Sequence, residues 1–131
     1  MSLSTHQVRP SIAVSDISRA AGFYEAKLGL RAGPEQSDES RVYPCGGGTS
    51  LHVYASPAPS VKGTATLATW YVADLEQVVD ELSAAGVAFQ RYEDPALHAD
   101  EKGIHELDDG KVAWFSDPDG NTFAIEERTA P

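Results

Sequence analysis

The chain repeats itself. Val14-Ser15-Asp16-Ile17 is answered 58 residues later by Val72-Ala73-Asp74-Leu75, and Leu28-Gly29-Leu30 is answered by Ala85-Gly86-Val87. A repeat of this kind means two copies of one supersecondary unit, and stacking the copies buries the apolar faces that one copy leaves exposed. That constrains the fold more than any single element does.

The first copy opens with Val8–Val14, whose loose alternation predicts a strand. Ser15-Asp16 supplies N-cap chemistry for a helix, and Ile17, Ala20, Ala21, Tyr24 and Leu28 recur at helical spacing along one face. Gly29 fits the C′ position that ends it. Leu30–Gly33, Ser40–Pro44 and Thr49–Ala55 read as three more strands. Gly46-Gly47-Gly48 lacks the following Lys-Ser/Thr and helix of a phosphate-binding loop, so it reads as a hairpin turn.

Residues 56–63, SPAPSVKG, form the one stretch with linker composition. The second copy follows with a strand over Thr64–Val72 and an N-cap at Asp74. A helix carrying Leu75, Val78, Val79 and Leu82 ends at Gly86, and Val87–Tyr92 predicts the next strand. A long polar loop runs through Asp109, and Lys111–Glu127 closes the set as a hairpin. Its turn, Asp117-Pro118-Asp119-Gly120, combines a preset φ, side chains that bond nearby backbone, and a glycine free to take φ > 0. The expectation is an α+β fold of two tandem βαβββ modules, about 6–55 and 64–128, in a single domain spanning 1–131.

Composition narrows the function. The net charge is −10, and residues 1–60 hold five acids against five bases, so the second half carries all the excess. No basic patch can neutralise phosphates, which argues against nucleic acid and anionic membrane surfaces. Apolar runs are too short to span a bilayer, and MSLSTHQVRP has no signal-peptide core; its Met-Ser-Leu reads in part as a cloning scar. The lone Cys45 has no internal disulfide partner and no neighbouring base to make it a nucleophile, so a cytoplasmic setting is expected.

Two stretches, VSDISRAAGFYEAKLGL and AWFSDPDGNTFAIEE, in this order and at this separation, resemble the vicinal oxygen chelate superfamily. That group comprises glyoxalase I, the bleomycin-resistance proteins and the extradiol dioxygenases. The resemblance covers the chain from about Val8 to Glu127. It implies sheets curled into a cup-shaped, partly closed mixed β-barrel, helices outside, a ligand site within the cup, and pairing as a homodimer with sites at or near the interface.

Metal-dependent relatives place four ligands, His, Glu or an occasional Gln, on four strands. By the resemblance, the first position falls seven residues before Asp16, at Arg9, and its counterpart before Asp74 is Leu67. The ligand of the closing hairpin falls at Ala124, and the one after the glycine turn at His52. Leu67 and Ala124 carry no donor atom and Arg9 is a cation, so neither a bound metal nor any other cofactor is expected. Rescue of a divalent site would need Glu126, His6, His98 or His105 to converge on His52.

Strand alternation puts Arg9, Ser11, His52, Tyr54, Leu67, Thr69, Tyr71, Thr122, Ala124 and Glu126 on the ligand side. Ile12, Val14, Leu51, Val53, Trp70, Val72, Phe123 and Ile125 fall beneath the helices. Ligand-binding candidates are therefore Arg9, His52, Tyr54, Leu67, Thr69, Tyr71, Ala124 and Glu126, unless Arg9 and Glu126 simply pair inside the barrel. Of Trp114 and Phe115 one should face the core, and parity leaves open which. His98 and His105 lie in an acidic loop over 93–109 and read as solvated, with a lid as the alternative. Asp109, Asp117 and Asp119 read as turn formers.

Two readings follow. One is a metal-independent small-molecule-binding protein, with drug sequestration as one use. The other is an enzyme of the same superfamily, a lyase, isomerase or dioxygenase-like activity in which His52 and Glu126 act with or without a divalent metal.

Overall fold

Asp16 and Asp74 begin the two helices for the same reason. Each sits in extended backbone and turns its carboxylate back on the first turn: Asp16 Oδ1 accepts from the N–H groups of Ser18 at 2.9 Å and Arg19 at 3.3 Å, and Asp74 Oδ1 from Gln77 N–H at 3.2 Å. In the computed structural model, which describes residues 3–34, 37, 39–57, 65–92 and 98–128, these helices are α1 (Ile17–Ala21) and α2 (Leu75–Ala84). Beyond Ala21 the first helix widens into a π turn over Gly22–Lys27, closed by the bond from Leu28 N–H to the Phe23 carbonyl at 3.1 Å. Gly29 then ends it with φ +75°, as its position predicts.

The strands are β1 (Ser11–Val14), β2 (Ser40–Pro44), β3 (Ser50–Ala55), β4 (Thr66–Tyr71), β5 (His105–Leu107), β6 (Gly110–Ser116) and β7 (Thr122–Arg128). They form two mixed sheets, ordered β1-β3-β2 and β4-β7-β6-β5. In each, the strand before the helix pairs in parallel with the last strand of its module, β1 with β3 and β4 with β7. Among the described residues no ladder joins the two sheets into one closed barrel.

Two expected strands shrink. Leu30–Gly33 is not a strand, although Gly33 N–H still donates to the Val42 carbonyl at 2.8 Å; Pro34, with no N–H, stops any ladder there. Val87–Tyr92 is reduced to a bridge between Phe89 and Phe115. The reason is competition: β5, which the polar loop hides, takes the Gly110–Val112 stretch of the same β6 edge. The expected linker falls largely on residues 58–63, outside the described set.

The helix-bearing faces of both sheets share one core. Ile12, Val14, Leu51 and Val53 from the first sheet join Phe115, Phe123 and Ile125 from the second, with Phe23 and Tyr24 of the π turn wedged between. Tyr24 meets Tyr43 on one side and Phe123 edge-on at 6.0 Å on the other. The core is not purely apolar. The Tyr24 hydroxyl donates to Asp117 Oδ2 at 2.6 Å, and the same carboxylate receives the backbone N–H groups of Asp119 and Asn121 and the Asn121 side chain. Asn121 Nδ2 also donates to the Ala13 carbonyl at 3.0 Å, and Arg19 to the Pro118 carbonyl at 2.7 Å. The turn of the second module is thus bolted to the strand and helix of the first. Gly120, with φ +87°, lets it make that approach.

Burial first, then the charge of Asp117, holds the Tyr24 phenol far above its ordinary range, and burial with the Glu25 hydrogen bond raises Tyr43 likewise. Phenols raised in the folded state stabilise it below their unfolded value of 10.0, and that stability is lost as pH rises beyond it. We expect Tyr24→Phe to cost ~2 kcal/mol by urea unfolding at neutral pH, with an unchanged m-value, because a buried carboxylate loses a donor. We also expect the wild-type stability to fall above about pH 10 and Tyr24→Phe to flatten that fall.

Candidate functional site

The faces turned away from the shared core carry the polar and aromatic side chains. In the first sheet Ser11 stands opposite His52, with Ser11 Oγ 3.2 Å from His52 Nδ1, and the His52 and Tyr54 rings stack at 5.5 Å. In the second sheet two rows run across the strands: Thr69, Ala124 and Trp114, and then Tyr71, Glu126, Val112 and His105. Alternation therefore places Ser11, His52, Tyr54, Thr69, Tyr71, Ala124 and Glu126 as expected, and it settles the Trp114–Phe115 ambiguity. Phe115 is fully buried in the core, and Trp114 lies on the ligand side. Once the hairpin register is known, Trp114 follows from its pairing with Ala124.

Leu67 departs from simple alternation. A bulge between Thr66 and Ala68 lets Thr66 take the ligand-side position, where its hydroxyl accepts the indole N–H of Trp114 at 3.1 Å. Leu67 is left 45 % exposed and Tyr71 65 % exposed. Both line a cleft of ≈ 600 Å³ between the edge of β4 and the segment Val8–Pro10, walled on the far side by Cys45 and Leu51. A smaller cleft of ≈ 310 Å³ beside it, lined by Gln7, Arg9 and Gly48, shares Val8, Thr49 and Ser50 with the first.

Charge is paired locally. Glu126 Oε1 lies 3.2 Å from the Arg128 guanidinium, which sits 5.3 Å over the Tyr71 ring. Glu126 is thus held by its own strand. His52 and Glu126, the candidate acid–base pair, belong to different sheets. Ala124 is 3 % exposed and offers only a methyl group.

His105 corrects an expectation. It is fully buried rather than solvated, because β5 pairs with β6 and sets the ring on the ligand-side face against Trp114 and Tyr92. Its Nε2 accepts the Tyr92 backbone N–H at 3.0 Å, and its ring packs edge-on against Trp114 at 5.0 Å and tilted against Tyr92 at 5.8 Å. Burial also raises the Tyr92 phenol. The bond to Nε2 fixes the neutral tautomer with its proton on Nδ1. His98 is exposed, as its acidic surroundings predict. The following stretch is tied down, since Lys102 bridges Glu76 at 3.0 Å and Asp80 at 3.1 Å on α2. The flanking acids gave no sequence signal for this burial; only the apolar Ile104 beside it did.

Arg9, Leu67 and Ala124 stand where the resemblance puts ligands, and among the described residues no three His, Cys, Asp or Glu side chains gather as a metal site. No helix among them is long and apolar enough to cross a membrane.

A family model described as the glyoxalase/bleomycin resistance protein/dioxygenase superfamily matches residues 6–125. The chain belongs to this superfamily. No curated protein matches it significantly. Among solved structures, a glyoxalase family protein from Bacillus anthracis superposes with TM-score 0.69 at 19% identity, over 94% of this chain and 96% of that one. TnmS3, an antibiotic binding protein from Streptomyces sp. CB03234, does so with 0.67 at 20%, over 94% and 97%. The genomically encoded fosfomycin resistance protein FosX from Listeria monocytogenes gives 0.67 at 12%, over 94% and 93%. At these identities the likeness establishes the fold.

Within this superfamily member, the Tyr92–His105–Trp114 cluster predicts a local effect. Replacing His105 with Ala should speed hydrogen exchange of the Ile104–Leu107 amides by at least about tenfold, whereas His98→Ala should leave it unchanged. Equal protection in wild type and His105→Ala would show that the ring does not hold the segment.

Proposed function

We propose that this superfamily member is a metal-independent small-molecule-binding protein, and that its ligand sits in a cup made by the outward faces of two copies. The observation that carries the reading is the Tyr71 row. A large aromatic ring stands 65 % exposed beside a cleft of ≈ 600 Å³, with a guanidinium over its face and a carboxylate behind it. Clefts that mix aromatic wall with a few placed polar groups are the usual make-up of small-molecule sites.

The shared core supports the second half of the proposal. Because the helix-bearing faces of both sheets turn to one interior, the His52–Tyr54 face and the Tyr71–Glu126 face both point away from it. A second copy related by a two-fold axis would set the first-module face of one chain against the second-module face of the other. Exposed Val8, Leu67 and Tyr71 would be covered in the process. Two of the similar structures are named as an antibiotic binding protein and a fosfomycin resistance protein, which favours an antibiotic-like organic compound as the ligand class. Drug sequestration is then the reading of its use.

Two outcomes are expected. Elemental analysis of untagged, undialysed protein should find well under one Ni, Zn, Fe or Mn per chain; a near-unit ratio lost in His52→Ala would contradict the proposal. For a compound found by thermal-shift screening of antibiotics, Tyr54→Ala and Tyr71→Ala should each weaken binding by ~2 kcal/mol, about thirtyfold, in variants that remain folded. Ser83→Ala, on the exposed side of α2, should bind as wild type does. Wild-type affinity in both tyrosine variants would place the ligand elsewhere.

A further inference from the structure

The two modules are not equally filled. Counting eight residues on from each capping aspartate gives Tyr24 in the first module and Leu82 in the second. Tyr24 is fully buried, its ring among Tyr43, Phe23 and Phe123 and its hydroxyl on Asp117. Leu82 is only partly buried, as is Val78 on the turn before it. The shorter side chain leaves a pocket of ≈ 230 Å³ between α2 and the second sheet, with Trp70 and Phe115 as aromatic walls and Leu28 and Leu30 of the first module as a further side. The Trp70 and Phe115 rings lie 6.2 Å apart at 23°. One lining residue carries a charge: Glu81, whose Oε1 accepts from Gln77 Nε2 at 3.2 Å.

We propose that this pocket is a second ligand site, separate from the cup, and that it takes a small aromatic ammonium compound, one ring bearing a short amine arm. The ring would occupy the place that the Tyr24 ring fills in the first module, and the ammonium would meet Glu81 as the Tyr24 hydroxyl meets Asp117. Size allows it, since an apolar cavity of about 150 Å³ already holds benzene. Charge selects the cation: the lining holds one carboxylate and no base, on a chain of net charge −10. Lys27, at the end of the first helix, is directed at the Gly86 carbonyl, 3.4 Å away.

The probe is 2-phenylethylammonium, titrated into the full chain while the Trp70 indole N–H is followed by NMR, with 3-phenylpropanoate as the anionic counterpart. The expected result is a saturable Trp70 shift with the amine and at least about tenfold weaker binding of the acid. Glu81→Gln should weaken the amine without lowering the unfolding temperature. Leu82→Trp, or Val78→Phe should the first not fold, should fill the pocket and abolish binding. Tyr71→Ala, which damages the cup, should change nothing here, so failure of either site is read independently. No saturation with wild type, equal binding of acid and amine, or undiminished binding in a folded pocket-filled variant would each overturn the proposal. So would binding to the monomer but not to a dimer, since the groove would then belong to a contact between copies.

Discussion

The carboxylate of Asp117 is the point on which the two modules depend. It is 5 % exposed, yet it receives four hydrogen bonds, from the Tyr24 hydroxyl, the Asn121 side chain and the backbone N–H groups of Asp119 and Asn121. A buried carboxylate is tolerated only with such company. Because Tyr24 comes from one module and Asp117 from the other, satisfying this one group fixes where the two sheets lie relative to each other. Asn121 adds β1 to the same node through the Ala13 carbonyl.

That node has a consequence for the ligand side. With both helix-bearing faces committed to a common interior, the opposite faces are what each chain can offer to a ligand or a partner. Arg9, Leu67 and Ala124 stand where the resemblance puts metal ligands, and Trp114 lies beside Ala124. Trp114 donates to Thr66, His52 stacks on Tyr54, and Arg128 lies over Tyr71. The chemistry left on this face is that of stacking, hydrogen bonding and local ion pairs, which suits recognition of an organic molecule.

Much of the fold was legible because it is written twice. The capping aspartates, the glycines that end the helices and the alternation of β1, β3 and β7 are local signals, and each sits where its backbone role requires. What the chain order does not carry is competition between distant segments. The Leu67 bulge arises from pairing with β7, and the loss of most of the Val87–Tyr92 strand from β5 claiming the same edge. His105 departs from its expected exposure for the same reason, since its acidic neighbours point to solvent while strand pairing sets it against Trp114 and Tyr92.

The central claim is that the cup is shared between two copies, and a mixed dimer tests it most directly. One chain would carry His52→Ala and Tyr54→Ala, the other Tyr71→Ala, and ligand stoichiometry would be measured by calorimetry on the purified heterodimer. A shared cup predicts that one of the two sites is intact, so half the sites bind with wild-type affinity, while each homodimer binds weakly. If no site in the heterodimer recovers wild-type affinity, the cup is built within a single chain and the account is contradicted.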